Sequence, residues 1–190
     1  MRCFLAIDLP EDARRHLAGV QGGLRDPPDD AARVSWVRRE NWHVTLKFLG
    51  ERADAEIVRV CEALRRVHAE PMTLCADRMI YFPRRGPVRV IAVEAGGDVG
   101  RLSELHAKIE ESCASVNVER DARRFTGHIT LGRSRQGEAG GGFTSLRSRT
   151  LPELFPGPSF DVHEFALMQS ELHPQGSRYT RLATFPLRDG

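Results

Sequence analysis

His43-Val44-Thr45-Leu46 and His128-Ile129-Thr130-Leu131 are two copies of one pattern: histidine, aliphatic, threonine, leucine. Side chains at i and i+2 of a strand share a face. His43 and Thr45 therefore point together, and Val44 and Leu46 point the other way into a core. The same holds for His128 with Thr130 and for Ile129 with Leu131. One His-x-Thr says little, because threonine favours strands and a histidine beside it is usually a satisfied surface residue. Two copies at matching points of a repeat say more. Leu5 to His43 is 38 positions and Ile91 to His128 is 37. That agreement predicts a structural duplication, with the two His-Thr pairs facing each other across one cleft.

The elements around the pairs follow the same order twice. Cys3 to Ile7 is a short apolar run that reads as a buried strand. Pro10 precedes a helix from Glu11 to about Leu24, with Leu17, Val20 and Leu24 at helical spacing. Arg25 to Asp30, with Pro27-Pro28, is a loop. Val34 to Val37 and His43 to Leu49, closed by Gly50, read as strands. Ala53 to His68 is an amphipathic helix with Ile57, Val60, Cys61, Leu64 and Val67 on one face. Met72 to Phe82 and Val88 to Val93 read as strands about a Pro83–Pro87 turn. In the second half, Val99 to Val116 is helical and His128 to Leu131 is a strand. Gly137 to Gly142 is a flexible loop, with a short helix near Ser145. Phe160 to Met168 and Tyr179 to Leu187 are the last strands, joined through His173-Pro174-Gln175-Gly176.

Two imidazoles titrate near neutrality, so one can act as base while the other is protonated and acts as acid. Two hydroxyls can donate to non-bridging phosphate oxygens as charge builds there. The set suits attack on a phosphodiester without a metal. It lacks the carboxylate clusters of two-metal phosphoryl transfer and any Ser-His-Asp signature.

The chain resembles the two-histidine phosphoesterase superfamily and, within it, the bacterial RNA 2′,3′-cyclic phosphodiesterases once described as 2′-5′ RNA ligases. Arg2-Cys3-Phe4-Leu5-Ala6-Ile7 resembles the family's first strand. Val34-Ser35-Trp36-Val37 followed by Asn41-Trp42-His43-Val44-Thr45-Leu46-Lys47-Phe48-Leu49-Gly50 resembles its first motif block. Phe125-Thr126-Gly127-His128-Ile129-Thr130-Leu131-Gly132-Arg133 resembles the second, and Ser170-Glu171-Leu172 with Gly176 and Tyr179 the closing hairpin. Gly127 departs from the pattern, which has a proline before the second histidine. The resemblance implies a bilobal α+β fold: a pseudo-twofold duplication with two antiparallel sheets flanking a central cleft and helices outside, residues 1–190 forming one two-lobed domain. It implies hydrolysis of an RNA-terminal 2′,3′-cyclic phosphate to a 2′-phosphomonoester. His43 is then the proton donor to the departing 3′ oxygen and His128 the proton acceptor for the attacking water. Thr45 and Thr130 hold the phosphate oxygens, and no metal or cofactor is implied. The residues alone name the same four side chains but leave open which histidine is the acid.

Arg133 is a further phosphate-binding candidate, although strict alternation sets it opposite His128, so reaching the cleft requires a twist or bulge. Phe48, Trp36 and Trp42 are candidates for stacking on a base, but alternation groups Phe48 and Trp42 with Val44, toward the core. Tyr179 is placed near the cleft rim or in strand packing. His16, His68 and His106 are read as solvated helix residues.

Composition sets the outer bounds. Apolar residues make up 41% of the chain, enough for a core and too many for general disorder. No run reaches the roughly 18 apolar residues of a membrane span, and Met1 to Asp8 turns acidic too soon for a signal peptide. Cys3, Cys61, Cys75 and Cys113 form no C-x-x-C pair and read as free thiols in a reducing cytoplasm, where a monomer is expected. The net charge is only +2, and of 28 basic residues only Lys47 and Lys108 are lysines. Arg33 to Lys47 and Glu119 to Arg135 each carry a local +3 and each brackets one motif. A basic cleft in a mildly acidic body suits an RNA bearing a 2′,3′-cyclic phosphate end, or a small cyclic nucleotide, as the partner. Two other readings compete: 2′-5′ ligation of RNA by reversal of the same chemistry, and a module that binds nucleotides or RNA ends without turnover.

Overall fold

The apolar run at the N-terminus becomes β1 (Arg2–Asp8), a central strand whose five inner residues are all buried. In the computed structural model, which describes residues 1–25, 34–134, 151–173 and 176–188, β1 is followed by α1 (Glu11–Arg25), β2 (Val34–Trp36), β3 (His43–Glu51) and α2 (Asp54–Leu64). Then come β4 (Met72–Phe82), β5 (Val90–Gly97), α3 (Val99–Ala114), β6 (His128–Ser134), β7 (Phe160–Val162), β8 (Glu164–His173) and β9 (Gly176–Pro186). The Gly137–Gly142 loop, the helix near Ser145 and nearly all of the Arg25–Asp30 loop lie outside the described residues.

The strands run in the order β7-β4-β5-β6-β3-β1-β8-β9, with β2 added to β6. Read outward from the middle, β6-β5-β4-β7 mirrors β3-β1-β8-β9. The expected two sheets are the halves of one continuous nine-stranded antiparallel sheet, which join at one register pair, Val44↔Ile129, the middle residues of the two motifs. This is the bilobal α+β duplication that the motif spacing and the family resemblance imply. On one side of the seam Val44, Leu46, Ile129 and Leu131 join a core with Leu17, Val20 and Leu24 of α1 and Leu102, Leu105 and Ile109 of α3. The opposite face carries the histidines and threonines.

The structure also shifts some boundaries. The helix read as reaching His68 ends at Leu64, where Arg66 and Val67 donate to carbonyls three residues back and tighten the chain into turns. The strand read as Phe160 to Met168 breaks at His163: β7 pairs with β4 in one lobe, and β8 pairs with β1 and β9 in the other. β5 runs past Val93 to Gly97, which brings Glu94 opposite His128. All four cysteines are free thiols. No helix among the described residues is long and apolar enough to cross a membrane.

Candidate active site

Each motif histidine opens its strand and is locked in the same way. His43 Nδ1 donates to the Asn41 carbonyl at 2.8 Å, and His128 Nδ1 donates to the Thr126 carbonyl at 2.7 Å. In both cases the acceptor lies two residues upstream, where the chain turns into the strand. With Nδ1 occupied, Nε2 is the atom each ring turns to the cleft, a tautomer set by the hydrogen bond on the other nitrogen. Thr45 Oγ1 lies 2.9 Å from His43 Nε2 and donates to it. One cleft of about 660 Å³ is lined by His43, Thr45, His128, Thr130 and Arg133 together.

The duplication extends to an irregularity. In β3 the partners on β1 step from Ala6↔Thr45 to Leu5↔Lys47, so Leu46 is an extra residue. In β6 the partners on β5 step from Ala92↔Thr130 to Ile91↔Gly132, so Leu131 is an extra residue. Each motif strand therefore carries a β-bulge one residue after its threonine, and the bulge reverses the alternation beyond it. Val90, Ala92 and Glu94 share one face of β5 and pair with Arg133, Thr130 and His128, so all three of the latter face the cleft. The bulge that Arg133 requires is present. The same parity puts Phe48 on the cleft face with Thr45 and His43, through Phe4, Ala6 and Asp8. The core assignment of Phe48 is thus corrected: its side chain is 55% exposed and lines the cleft. Trp42 is a core residue at 1% exposure, and Trp36 is half-buried under the Arg25 guanidinium.

Aromatic rings close around both imidazoles. Phe4 lies 4.8 Å and Tyr179 5.5 Å from the His43 ring, and Phe82 lies 5.0 Å from the His128 ring. Burial pushes the His43 imidazole down to about 4; the Asn41 carbonyl and Asp8 oppose this, while Arg14 and Arg133 add to it. Burial likewise depresses His128, against the Thr126 carbonyl and with Arg133, while Glu94 acts the other way. Both rings are therefore neutral in the free protein at neutral pH, and a bound phosphate anion would favour protonation of either.

Supporting residues come from places that motif reading does not reach. The buried Gln21 of α1 donates to the carbonyls of Val37, at 2.9 Å, and of the bulge residue Leu131, at 3.0 Å. Lys47 is 3% exposed and donates to Glu110 at 2.7 Å and to the Glu119 carbonyl at 2.9 Å. Glu110 in turn accepts from the Asp121 backbone, so the pair holds the segment that leads to His128. His106 is not solvated as expected: it stacks on Phe125 at 4.0 Å and lines the cleft beside Arg123 and Arg124. At Gly127, Leu102 fills the space of the missing side chain, its Cδ2 lying 2.6 Å from where a Cβ would be. The Gly127 carbonyl accepts from Ala95 at 2.9 Å, so the strand entry is held without a proline. Among the described residues, no group of three His, Cys, Asp or Glu side chains is placed to hold a metal ion.

The chain is similar to known proteins over nearly its whole length. A Thermus thermophilus protein named RNA 2′,3′-cyclic phosphodiesterase is 34% identical, covering 99% of this chain and 91% of its own. A Geobacillus stearothermophilus protein of the same name is 30% identical over 97% of this chain, which spans only 56% of that relative's length. The crystal structure of Escherichia coli LigT complexed with 3′-AMP matches with a TM-score of 0.76 at 26% identity, covering 98% of this chain and 97% of that one. The family model described as LigT-like phosphoesterase matches residues 7–92 and 97–179, one stretch for each motif. With both motif strands inside the matched stretches and the whole fold shared, the chain belongs to the LigT-like phosphoesterase family.

Proposed function

We propose that this protein hydrolyses the 2′,3′-cyclic phosphate at an RNA end to a 2′-phosphomonoester, using only its own side chains. The observation that carries the reading is the matched pair of imidazoles, each pinned through Nδ1 to a backbone carbonyl and each offering Nε2 to one cleft. Support comes from the relatives named RNA 2′,3′-cyclic phosphodiesterase and from the nucleotide 3′-AMP bound in the LigT structure.

In this mechanism water attacks phosphorus as His128 Nε2 takes its proton. The P–O3′ bond breaks, and His43 Nε2 gives its proton to O3′, leaving the phosphate on O2′ and a free 3′ hydroxyl. His43 is neutral in the free protein, so it acquires its proton with the anionic substrate, whose charge favours imidazolium. Thr45 turns its hydroxyl from His43 to a non-bridging oxygen, Thr130 serves the other, and the Arg133 guanidinium completes the phosphate clamp. The half-exposed Phe48 offers its ring to a nucleobase.

Exchanged roles, with His43 as base, are the alternative within the same geometry, since burial keeps both rings unprotonated before substrate binds. A substrate with a better leaving group at the 3′ position separates the two, since it restores activity to the variant that lacks the acid and not to the one that lacks the base. His43→Ala and His128→Ala should each lower kcat for a 2′,3′-cyclic phosphate by ~10²–10⁴-fold in the presence of EDTA. The product should be the 2′ monoester. Retained activity in either variant sinks the two-histidine mechanism, and a 3′ product overturns the departure of the 3′ oxygen.

A further inference from the structure

His128 ends a row that crosses three adjacent strands, and His43 has a counterpart in which the arginines reach the carboxylate from a helix and from a more distant strand. In one lobe, register pairs Arg78 on β4 with Glu94 on β5, and Glu94 with His128 on β6. Arg78 Nη2 lies 2.5 Å from Glu94 Oε2, and Arg84 Nη2 lies 4.0 Å from Oε1. In the other lobe Asp8 on β1 pairs with His43 on β3. Arg14 bonds one oxygen of Asp8, and Arg181 Nη2 bonds the other at 2.9 Å while its Nη1 reaches Glu164. The order arginine, carboxylate, imidazole therefore occurs twice.

Neither carboxylate is the hydrogen-bond partner of an imidazole Nδ1, because backbone carbonyls hold both. Their influence is that of charge through space. A fixed anion beside an imidazole stabilises its protonated form, and the effect is strongest where water does not screen it. The two rows differ in this respect: the Glu94 side chain is 17% exposed and that of Asp8 is 51%.

We propose that Glu94, held by Arg78, is a positioning residue that makes His128 the more basic imidazole of the pair, with Asp8 as its weaker counterpart toward His43. The proposal rests on the two-histidine reading and deepens it. Proton acceptance by a buried neutral ring requires something to stabilise the imidazolium it becomes, and Glu94 is the anion placed for it. Among the described residues, the Thr126 carbonyl favours protonation of His128, Arg133 on its own strand opposes it, and Phe82 from β4 presents an uncharged ring. Around His43 stand Asp8, Arg14, Arg133, Phe4 and Tyr179. Burial depresses both rings; at His128 the Thr126 carbonyl opposes it first, and Glu94 is the anion that does so against the Arg133 guanidinium, as Asp8 does at His43 against Arg14 and Arg133.

Titration of the two imidazoles by NMR in the intact protein tests the proposal without relying on turnover. Glu94→Gln should move His128 to lower pH and leave His43 in place, and Arg78→Gln should move His128 to higher pH. The alkaline limb of kcat/KM for a nucleoside 2′,3′-cyclic phosphate, which reports the more basic of the two imidazoles, should follow in the same directions. Glu94→Asp, which keeps the charge, should bring His128 back toward its original position. An unmoved His128 in Glu94→Gln overturns the proposal, as does a parallel shift of both histidines, which would mean general loosening. If Glu94→Gln does not fold, Arg78→Gln decides alone, since its shift has the opposite sign and its absence refutes the row. Absence of cyclic-phosphate hydrolysis by the unaltered protein would sink the enzymatic reading while leaving these titrations to decide the electrostatic one.

Discussion

Phe48 and Arg133 hold the same place in the two halves of the sheet. Each stands five residues after its histidine and two after a one-residue bulge, and each lines the cleft. The backbone is duplicated here and the chemistry is not: one half presents an apolar ring, the other a guanidinium. The symmetric cleft thereby has a direction, with an apolar ring on the His43 side and a cation on the His128 side.

Phe48→Ala should therefore raise KM for nucleoside 2′,3′-cyclic phosphates while leaving kcat within a few-fold. Stacking on an aromatic ring is worth about 1–3 kcal/mol per base, so an increase of roughly 10-fold or more is expected. Steady-state kinetics on a cyclic nucleotide and on a cyclic phosphate lacking a base checks it. The loss should appear only with the first substrate.

Arg133→Met should lower kcat/KM by about 10- to 100-fold for both substrates, because a charge-assisted bond to phosphate contributes about 1.5–3 kcal/mol. Arg133→Lys should recover only part of this, since an ammonium cannot supply the planar fork. Full activity in Arg133→Met would remove Arg133 from the phosphate clamp.

The contrast between these two residues and the four motif residues shows what was legible before the structure. His43, Thr45, His128 and Thr130 follow from a period of two, which holds as long as a strand is regular. Phe48 and Arg133 lie beyond the bulges at Leu46 and Leu131, where that period slips by one. Nothing in the local composition marks a bulge at a leucine. Gln21 was hidden for a different reason. Its acceptor, the Leu131 carbonyl, is 110 positions away and is oriented by tertiary packing alone. The lobes were foreseeable from spacing, whereas the break at His163 that divides β7 from β8 lies within a continuous strand-like pattern.

Gln21→Leu should destabilise the protein by about 1–3 kcal/mol, the cost of withdrawing donors from buried carbonyls. The Leu131 carbonyl keeps the Val37 amide at 2.9 Å, whereas the Val37 carbonyl loses its side-chain donor. Urea unfolding measures the stability, and kcat measures whether the bulge still aims Arg133. A stability loss with unchanged kinetics would show that the bulge holds without the glutamine.

Lys47 and Glu110 are buried with Nζ and Oε1 2.7 Å apart, so removing one partner strands a charge. Lys47→Met should cost about 3–5 kcal/mol, and the double variant Lys47→Met, Glu110→Leu should recover part of that loss. A double variant as unstable as the sum of the two single ones would mean that the pair is not coupled.

His43 ties the site to the acid limit of the fold. Burial holds its imidazole at about 4 against an ordinary value of 6.5, so between those pH values the unfolded chain binds a proton that the folded chain does not. Stability therefore rises with pH through that window and is lost as pH falls from about 6.5 toward 4, by at most about 3 kcal/mol from this residue. His128, depressed in the same direction, adds to the slope. Urea unfolding at pH 7 and pH 5 should show a smaller difference for His43→Gln than for the unaltered protein, because the substitution removes the proton uptake from the unfolded state. An unchanged difference would mean that His43 is protonated in the folded protein at pH 5, and with it the reading of a neutral ring awaiting its proton from substrate binding would fail.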